Sequence, residues 1–276
     1  MTPLADPALG SAAGWPLVLY FHHVNPQVRH YTSLDPDDFR RGLETVLRRV
    51  GPALDPAGVV PGFRPPDEPS VLFTFDDGYR DTLTLAAPVL AEFDVRVLLF
   101  CTTQRLDAAS AMTPRQRAAL PPRESYLDWA EAGHLAAAGH VLSAHTRTHP
   151  KLDRLDPAGA AREVHGALRD VAERTGRPVH SFAYPYGLVP EVNPVPSTVL
   201  GFGTVKSAPA PWTDRPLEIR RTYLPVDETD RWPAMAADWR EQWYGSRCSS
   251  PPATGQRTCA DVSTAWPSAP TGCPPD

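Results

Sequence analysis

Val71-Leu72-Phe73-Thr74-Phe75-Asp76-Asp77-Gly78 is the stretch from which the rest of the chain is best read. Its first five residues are apolar or β-branched and are stopped by two carboxylates and a glycine, the pattern of a short strand buried on both faces. Such a strand belongs to a parallel sheet, and the flanking sequence supplies the other parts. Downstream, Thr82–Phe93 predicts a helix with Leu85, Val89, Leu90 and Phe93 inward, and Val95–Phe100 predicts a further strand. Upstream, Leu17–Phe21 predicts a strand, and Asp35 caps a helix that starts at Pro36 and buries Phe39, Leu43, Val46, Leu47 and Val50 before Gly51.

The alternation continues along the chain. Tyr126–Ala138 predicts a helix stopped by Gly139, and Val141–Ala144 a strand that ends at His145. Asp156 and Pro157 open a helix that turns Val164, Leu168 and Val171 inward and closes at Gly176. His180–Tyr184, Phe202–Val205 and Leu217–Thr222 are the later strands, whereas residues 104–124 show no clear period and read as an excursion from the core. Strands that alternate with helices argue for parallel α/β units, whose strand C-termini gather on one face where sites are built.

The 276 residues are enough for a large single core, and 27 Lys+Arg against 32 Asp+Glu leave a net charge of −5. That balance excludes a nucleic-acid or anionic-membrane footprint. No apolar stretch approaches the ~20 residues of a spanning helix. The opening MTPLADPALGSAAGWP lacks the cationic start and apolar run of a secretory signal, so a cytoplasmic location is expected. From Cys248 onward Pro, Ser, Thr, Ala and Gly dominate without periodicity, which predicts an unstructured tail. The expected layout is an N-terminal extension at 1–14, one α/β barrel over 15–245 and a low-complexity tail at 246–276. Cys101 lies in an apolar run, and the spacing of Cys248, Cys259 and Cys273 is neither that of a zinc knuckle nor that of a dense disulfide scaffold. The chain has 33 prolines, and Pro36, Pro150, Pro157 and Pro185 mark helix starts and loops.

Three strand ends carry residues that bind metal or move protons: Asp76-Asp77-Gly78, His145-Thr146-Arg147-Thr148-His149-Pro150 and Tyr184-Pro185-Tyr186-Gly187. Singly, each has a plain structural explanation: a capped turn, surface histidines with a solvated Arg147 between them, and an aromatic turn. Together, and at converging strand ends, they make one carboxylate and two imidazoles into a three-ligand site with open positions, the arrangement of a catalytic metal. The neighbouring carboxylate is left to act as a base. Trp212, Trp232, Trp243 and Tyr244 read as packing residues rather than platforms for sugar rings.

Thr-Phe-Asp-Asp-Gly, His-Thr-x-Thr-His-Pro and Tyr-Pro-Tyr-Gly, in this order, resemble the motifs of the polysaccharide deacetylase family, the NodB homology domain of carbohydrate esterase family 4. The resemblance spans about residues 15–225. It is closest to the branch that de-N-acetylates poly-β-1,6-N-acetylglucosamine, through Tyr20-Phe21-His22-His23-Val24, then Tyr31, Leu34, Pro36 and Phe39, and through Leu127 and Trp129 before Gly139. It implies a distorted (β/α) barrel with fewer than eight parallel strands and removal of the N-acetyl group from an amino sugar in a glycan. It also implies Asp77, His145 and His149 as ligands of a divalent metal, Zn²⁺ foremost, with Fe²⁺, Co²⁺ or Ni²⁺ suited to the same set. By the same resemblance Asp76 is the base, the Tyr186 amide contacts the oxyanion, and Pro185 and Tyr186 meet the substrate. Two features depart from the family pattern. Many members begin the third motif with an arginine that orients the base; Ala183 stands there, and either Arg220 or Arg221 is the expected substitute. Many also carry a late histidine as general acid, but no histidine follows His180. His22 or His23, at the end of the first strand, is the expected replacement, with His22 the residue put forward.

Overall fold

Six strands lie side by side in chain order in the computed structural model, which describes residues 16–66, 68–207, 210 and 212–237. They are β1 (Leu17–Phe21), β2 (Val71–Phe75), β3 (Leu98–Cys101), β4 (Val141–Ala144), β5 (Ser181–Ala183) and β6 (Leu200–Phe202). Every adjacent pair is parallel. Because each crossover adds its strand to the same edge, the helices collect on one side and the sheet curls into a barrel.

The two edges of this sheet meet through residues 216–222. Ile219 bridges Phe202 of β6 and Thr222 bridges Leu19 of β1, both parallel. At one side of this seam the Ile219 N–H donates to the Gly201 carbonyl at 2.8 Å; at the other the Tyr20 N–H donates to the Thr222 carbonyl at 2.8 Å. The strand expected at Leu217–Thr222 is therefore present as two bridges, since the segment leaves β6 to reach β1 within three residues.

Strand alternation sorts the core into two layers. Val18, Leu72, Leu98, Phe100, Ala183 and Phe202 pack together with Ile219. Their neighbours Leu19, Phe73, Leu99, Ala144 and Phe182 pack with helix residues such as Phe39, Leu43 and Val164, so the first set faces the barrel interior. Continuing this period of two past the strand ends puts Asp76, His22 and His145 on the inner side.

The long helices follow the sequence closely. α1 (Pro36–Arg49) is capped by Asp35, whose carboxylate accepts from the Asp37 and Asp38 N–H groups. α2 (Ala87–Glu92) is preceded by a π-helical turn at Thr82–Ala86, a wide turn within the helix expected there. Residues 104–124 are not an irregular excursion: they contain α3 (Thr103–Ala111) and α4 (Pro114–Ala118). Their pattern is faint because α3 buries only Thr103, Leu106 and Ala109, and α4 buries nothing. α5 (Trp129–Ala137) starts later than expected, because the Asp128 carboxylate and Glu131 form a capping box that leaves Tyr126 extended and bridged to Tyr79. α6 (Pro157–Thr175) ends where Gly176 takes the left-handed conformation, and α7 (Trp232–Ala237) packs on α1. Trp212 and Trp232 are core residues, as expected. The extension 1–14, the tail 246–276 with Cys248, Cys259 and Cys273, and Trp243 and Tyr244 lie outside the described residues. No described helix is long and apolar enough to cross a membrane.

Candidate active site

After Phe75 the chain passes through Asp77 and Gly78 with φ of 70° and 80°. A Cβ on Gly78 would lie 2.9 Å from Leu106 Cδ1, so this reversal requires glycine. Asp76 thus stays on the inner side while Asp77 swings over the barrel mouth. Thr146, His149 and Tyr186 also have positive φ, so among the described residues four of the five non-glycine residues with this conformation sit in the three motif loops. Such strain persists where the surroundings over-determine it, and it clusters at functional sites.

At the end of β4, His145 Nδ1 lies 2.8 Å from the Ala183 carbonyl oxygen. A carbonyl can only accept, so Nδ1 carries the hydrogen and Nε2 presents its lone pair to the mouth. Burial lowers the His145 pKa to about 4, against the pull of Asp76 and Asp77, so the ring is neutral near pH 7. His149 Nε2 approaches Asp77 Oδ1 to 3.3 Å and His145 Nε2 approaches it to 3.7 Å.

The loop that presents these histidines is clamped by α6. Glu163 accepts hydrogen bonds from the Arg147 and Thr148 N–H groups and from the Thr148 hydroxyl, all at 2.9 Å. Arg147 is not merely solvated: its Nε donates to Asp170 Oδ2 at 3.0 Å, and the same oxygen accepts from Thr103 Oγ1 at 2.7 Å. A Cβ on Gly166 would come within 2.4 Å of Arg147 Cδ, so the arginine crosses α6 where the helix is thinnest. Nothing in the sequence singles out Glu163 or Asp170, because both sit among the charged residues of an ordinary amphipathic helix.

The donor set fits a divalent cation on its own geometry. Asp77 Oδ1 is buried without a hydrogen-bond partner, and it lies with one nitrogen each of His145 and His149 in a group whose atoms are all within 4.8 Å of one another. A buried carboxylate oxygen faced by imidazole nitrogens leaves a place for a positive charge. Burial opposes ionisation of Asp77, but His149, His22, His145 and Arg105 outweigh it and hold the carboxyl well below the usual carboxylate range.

Asp76 is 3% exposed, and Arg221, with no exposed surface, grips it as a fork: Nη1 donates to Oδ1 at 2.7 Å and Nη2 to Oδ2 at 2.8 Å. Arg221 also donates from Nη1 to Thr74 Oγ1 at 3.0 Å and from Nε to the Gly203 carbonyl at 2.8 Å, and its guanidinium lies over the rings of Tyr20 and Phe100. Of the two arginines left open above, Arg221 is the one that reaches the carboxylate. Burial works against the Asp76 charge, yet Arg221 first, then His145 and His22, keep its pKa below the ordinary value.

Asp76, Asp77, His145, His149, His22 and Tyr186 share one cavity of about 610 Å³. His22 Nδ1 is 2.8 Å from Thr32 Oγ1, which also lies 2.7 Å from His30 Nδ1. Burial lowers the His22 pKa against the attraction of Asp77 and Asp76. His23, the other histidine considered above, is instead held by its own pair, with Nδ1 2.7 Å from Asp81 Oδ2 and its ring 3.7 Å from that of Tyr79. The Tyr186 ring lies 4.8 Å from that of His149, while Pro185 is buried in the turn and is absent from the cavity lining. Tyr31, already part of the resemblance, and His30 also line the cavity; for His30, nearness in sequence to His22 is the one signal by which it could have been found.

Residues 63–193 match the polysaccharide deacetylase family. Over that stretch the chain is similar to polysaccharide deacetylases. Among solved structures it is similar to the Streptococcus pyogenes deacetylase PplD in complex with acetate, with 20% identity, a TM-score of 0.63, and 77% of this chain and 92% of that one covered. It is likewise similar to IcaB from Ammonifex degensii, with 21% identity, a TM-score of 0.59, and 82% and 98% of the two chains covered. A polysaccharide deacetylase from Bacillus cereus gives 18% identity and a TM-score of 0.64, over 80% of this chain and 68% of that one. At these identities the likeness is one of fold. No match was found among curated protein sequences.

Proposed function

We propose that the chain hydrolyses the N-acetyl group of an N-acetylated amino sugar in a poly- or oligosaccharide, and that Asp77, His145 and His149 hold a divalent cation, Zn²⁺ foremost. The observation that carries this reading is the pairing in one cavity of an Arg221-held carboxylate with the Asp77–His145–His149 group. A cation bound there supplies Lewis acidity toward the acetamide carbonyl and lowers the pKa of water.

The protein's own groups then have distinct tasks. Asp76 is ionised and bonded to Arg221 through both oxygens, and each oxygen keeps a lone pair with which to take a proton from the attacking water. The fork fixes the carboxylate plane, so no reorientation is needed during attack. The Tyr186 backbone N–H, in a left-handed turn over the His149 ring, supports the oxyanion. His22, kept neutral at rest by burial, first takes up a proton and then gives it to the departing amine nitrogen, and acetate and a free amine result. In His22→Ala, turnover is expected to fall by about 10²-fold or more with metal content unchanged. Unchanged turnover would assign the acid elsewhere.

The test of the whole reading is acetate release from N-acetylglucosamine derivatives, from monosaccharides to β-1,4 and β-1,6 oligomers, before and after chelation. Activity is expected on at least one oligomer, loss with chelator, and recovery on adding back Zn²⁺, Co²⁺, Ni²⁺ or Fe²⁺. Full activity in metal-free protein would sink the cation assignment. Tight glycan binding without acetate release would mark a binding relative of the same fold.

A further inference from the structure

The cavity that holds the proposed catalytic groups is ringed by positive charge. Arg105 of α3, Arg123 of the turn Pro122–Glu124 and Lys206 of the loop after β6 line it, whereas its carboxylates are Asp76 and Asp77. Asp76 is already neutralised by the Arg221 fork. Asp77, which Arg105 Nη1 reaches at 3.8 Å, is the carboxylate that the cation site also claims. In a chain whose net charge is −5, this concentration of cations does not follow from composition. A concave site with low-dielectric walls focuses such a field onto what enters it.

The three side chains come from separate elements, and each also meets an uncharged group. The Arg105 guanidinium lies 4.9 Å from the ring centroid of Tyr126, which is itself stacked on Tyr79 at 4.8 Å. Lys206 Nζ donates to the Tyr186 carbonyl at 2.8 Å, and Arg123 donates to the carbonyl of Arg29. The Tyr126 face and the Arg29 carbonyl orient Arg105 and Arg123 without adding a negative charge of their own. A neutral glycan has little use for three such groups, whereas an anionic one meets them all from the mouth.

We infer that the substrate carries an anionic group, a carboxylate or a phosphate, on the N-acetylated sugar or on the unit beside it, and that Arg105, Arg123 and Lys206 receive it. This rests on the deacetylase reading and narrows its substrate class. The two sources share the same charged oxygens and are separated by the arms of the test.

Acetate release is measured on three N-acetylglucosamine oligomers of equal length: a neutral β-1,6 chain, one alternating with glucuronate, and one joined through phosphodiesters. kcat/KM is expected to be about tenfold or more higher on one acidic arm, chiefly through KM, and the preferred arm names the source. The preference should shrink between about 0.01 M and about 1 M salt, as the screening length falls from ~30 to ~3 Å. Arg105→Gln and Arg123→Gln should each lower the ratio of acidic to neutral kcat/KM. Equal kcat/KM on all three substrates overturns the inference and leaves deacetylation standing. If no arm releases acetate, the deacetylase reading fails instead, and calorimetric binding of the same oligomers to Asp76→Asn still decides the inference: equal affinities overturn it.

Discussion

Asp76→Asn is expected to reduce acetate release by about 10²- to 10⁴-fold, the usual contribution of a positioned general base. The amide is nearly isosteric and can still accept a bond from Arg221 through its oxygen, so the local geometry survives. Its nitrogen has no lone pair for a proton, and the second arm of the fork is lost. Asp77, His145 and His149 are untouched, so the variant should bind the same amount of metal as the wild type. It also leaves a buried guanidinium without its carboxylate and should melt at a lower temperature. The decisive measurement is kcat with metal content determined on the same sample. Near wild-type kcat at full metal occupancy would remove Asp76 from the base role, whereas loss of metal together with activity would leave the two effects unresolved and call for kcat at saturating metal.

The second large effect is on stability. Arg221 is fully buried and spends its donors on Asp76, Thr74 and Gly203, so Arg221→Ala leaves a carboxylate and two acceptors inside the barrel without their partner. Breaking a buried ion pair from one side costs about 3–5 kcal/mol. The cavity left beside Tyr20 and Phe100 adds to this. Denaturant unfolding checks the figure, and a loss below about 1 kcal/mol would mean that the pair is solvated in solution. Should the alanine variant fail to fold, Arg221→Lys keeps the charge but cannot form the fork. It is expected to fold, to keep its metal and to lose most turnover, so a fully active lysine variant would show that charge alone suffices.

How much of this was legible in the sequence depended on range. The β2 stretch was readable because a run of five apolar or β-branched residues and a turn are a local signal, and β2 is found at Val71–Phe75. The caps of α1 and α6 were readable for the same reason, since Asp-Pro and a closing glycine act within one turn. The motif loops converge because parallel strands bring their C-terminal ends together, so Asp77, His145 and His149 could be grouped before any distance was known. The choice between Arg220 and Arg221 depended on the register of the seam, a pairing with β1 and β6 that no short window contains. A weak signal existed even there: if Ile219 faces the interior, a period of two sends Arg221 inward as well. α3 and α4 were missed because an almost wholly polar face carries little periodicity, and the clamp from Glu163 to the histidine loop is invisible because a surface glutamate and a structural one look alike in a sequence.

The seam at 216–222 also sets an order of events in the life of the molecule. A nascent chain presents Asp76, His145 and His149 long before Arg221 has been made, and until then the barrel has two open edges and the buried carboxylate has no counter-charge. Contacts 145 residues apart in sequence form late, because loop closure precedes their reward. The last stretch to join the sheet is therefore the one that neutralises the proposed base. Closing the barrel and arming the site are one step, so a chain arrested before residue 216 would be both sticky at its edges and chemically silent.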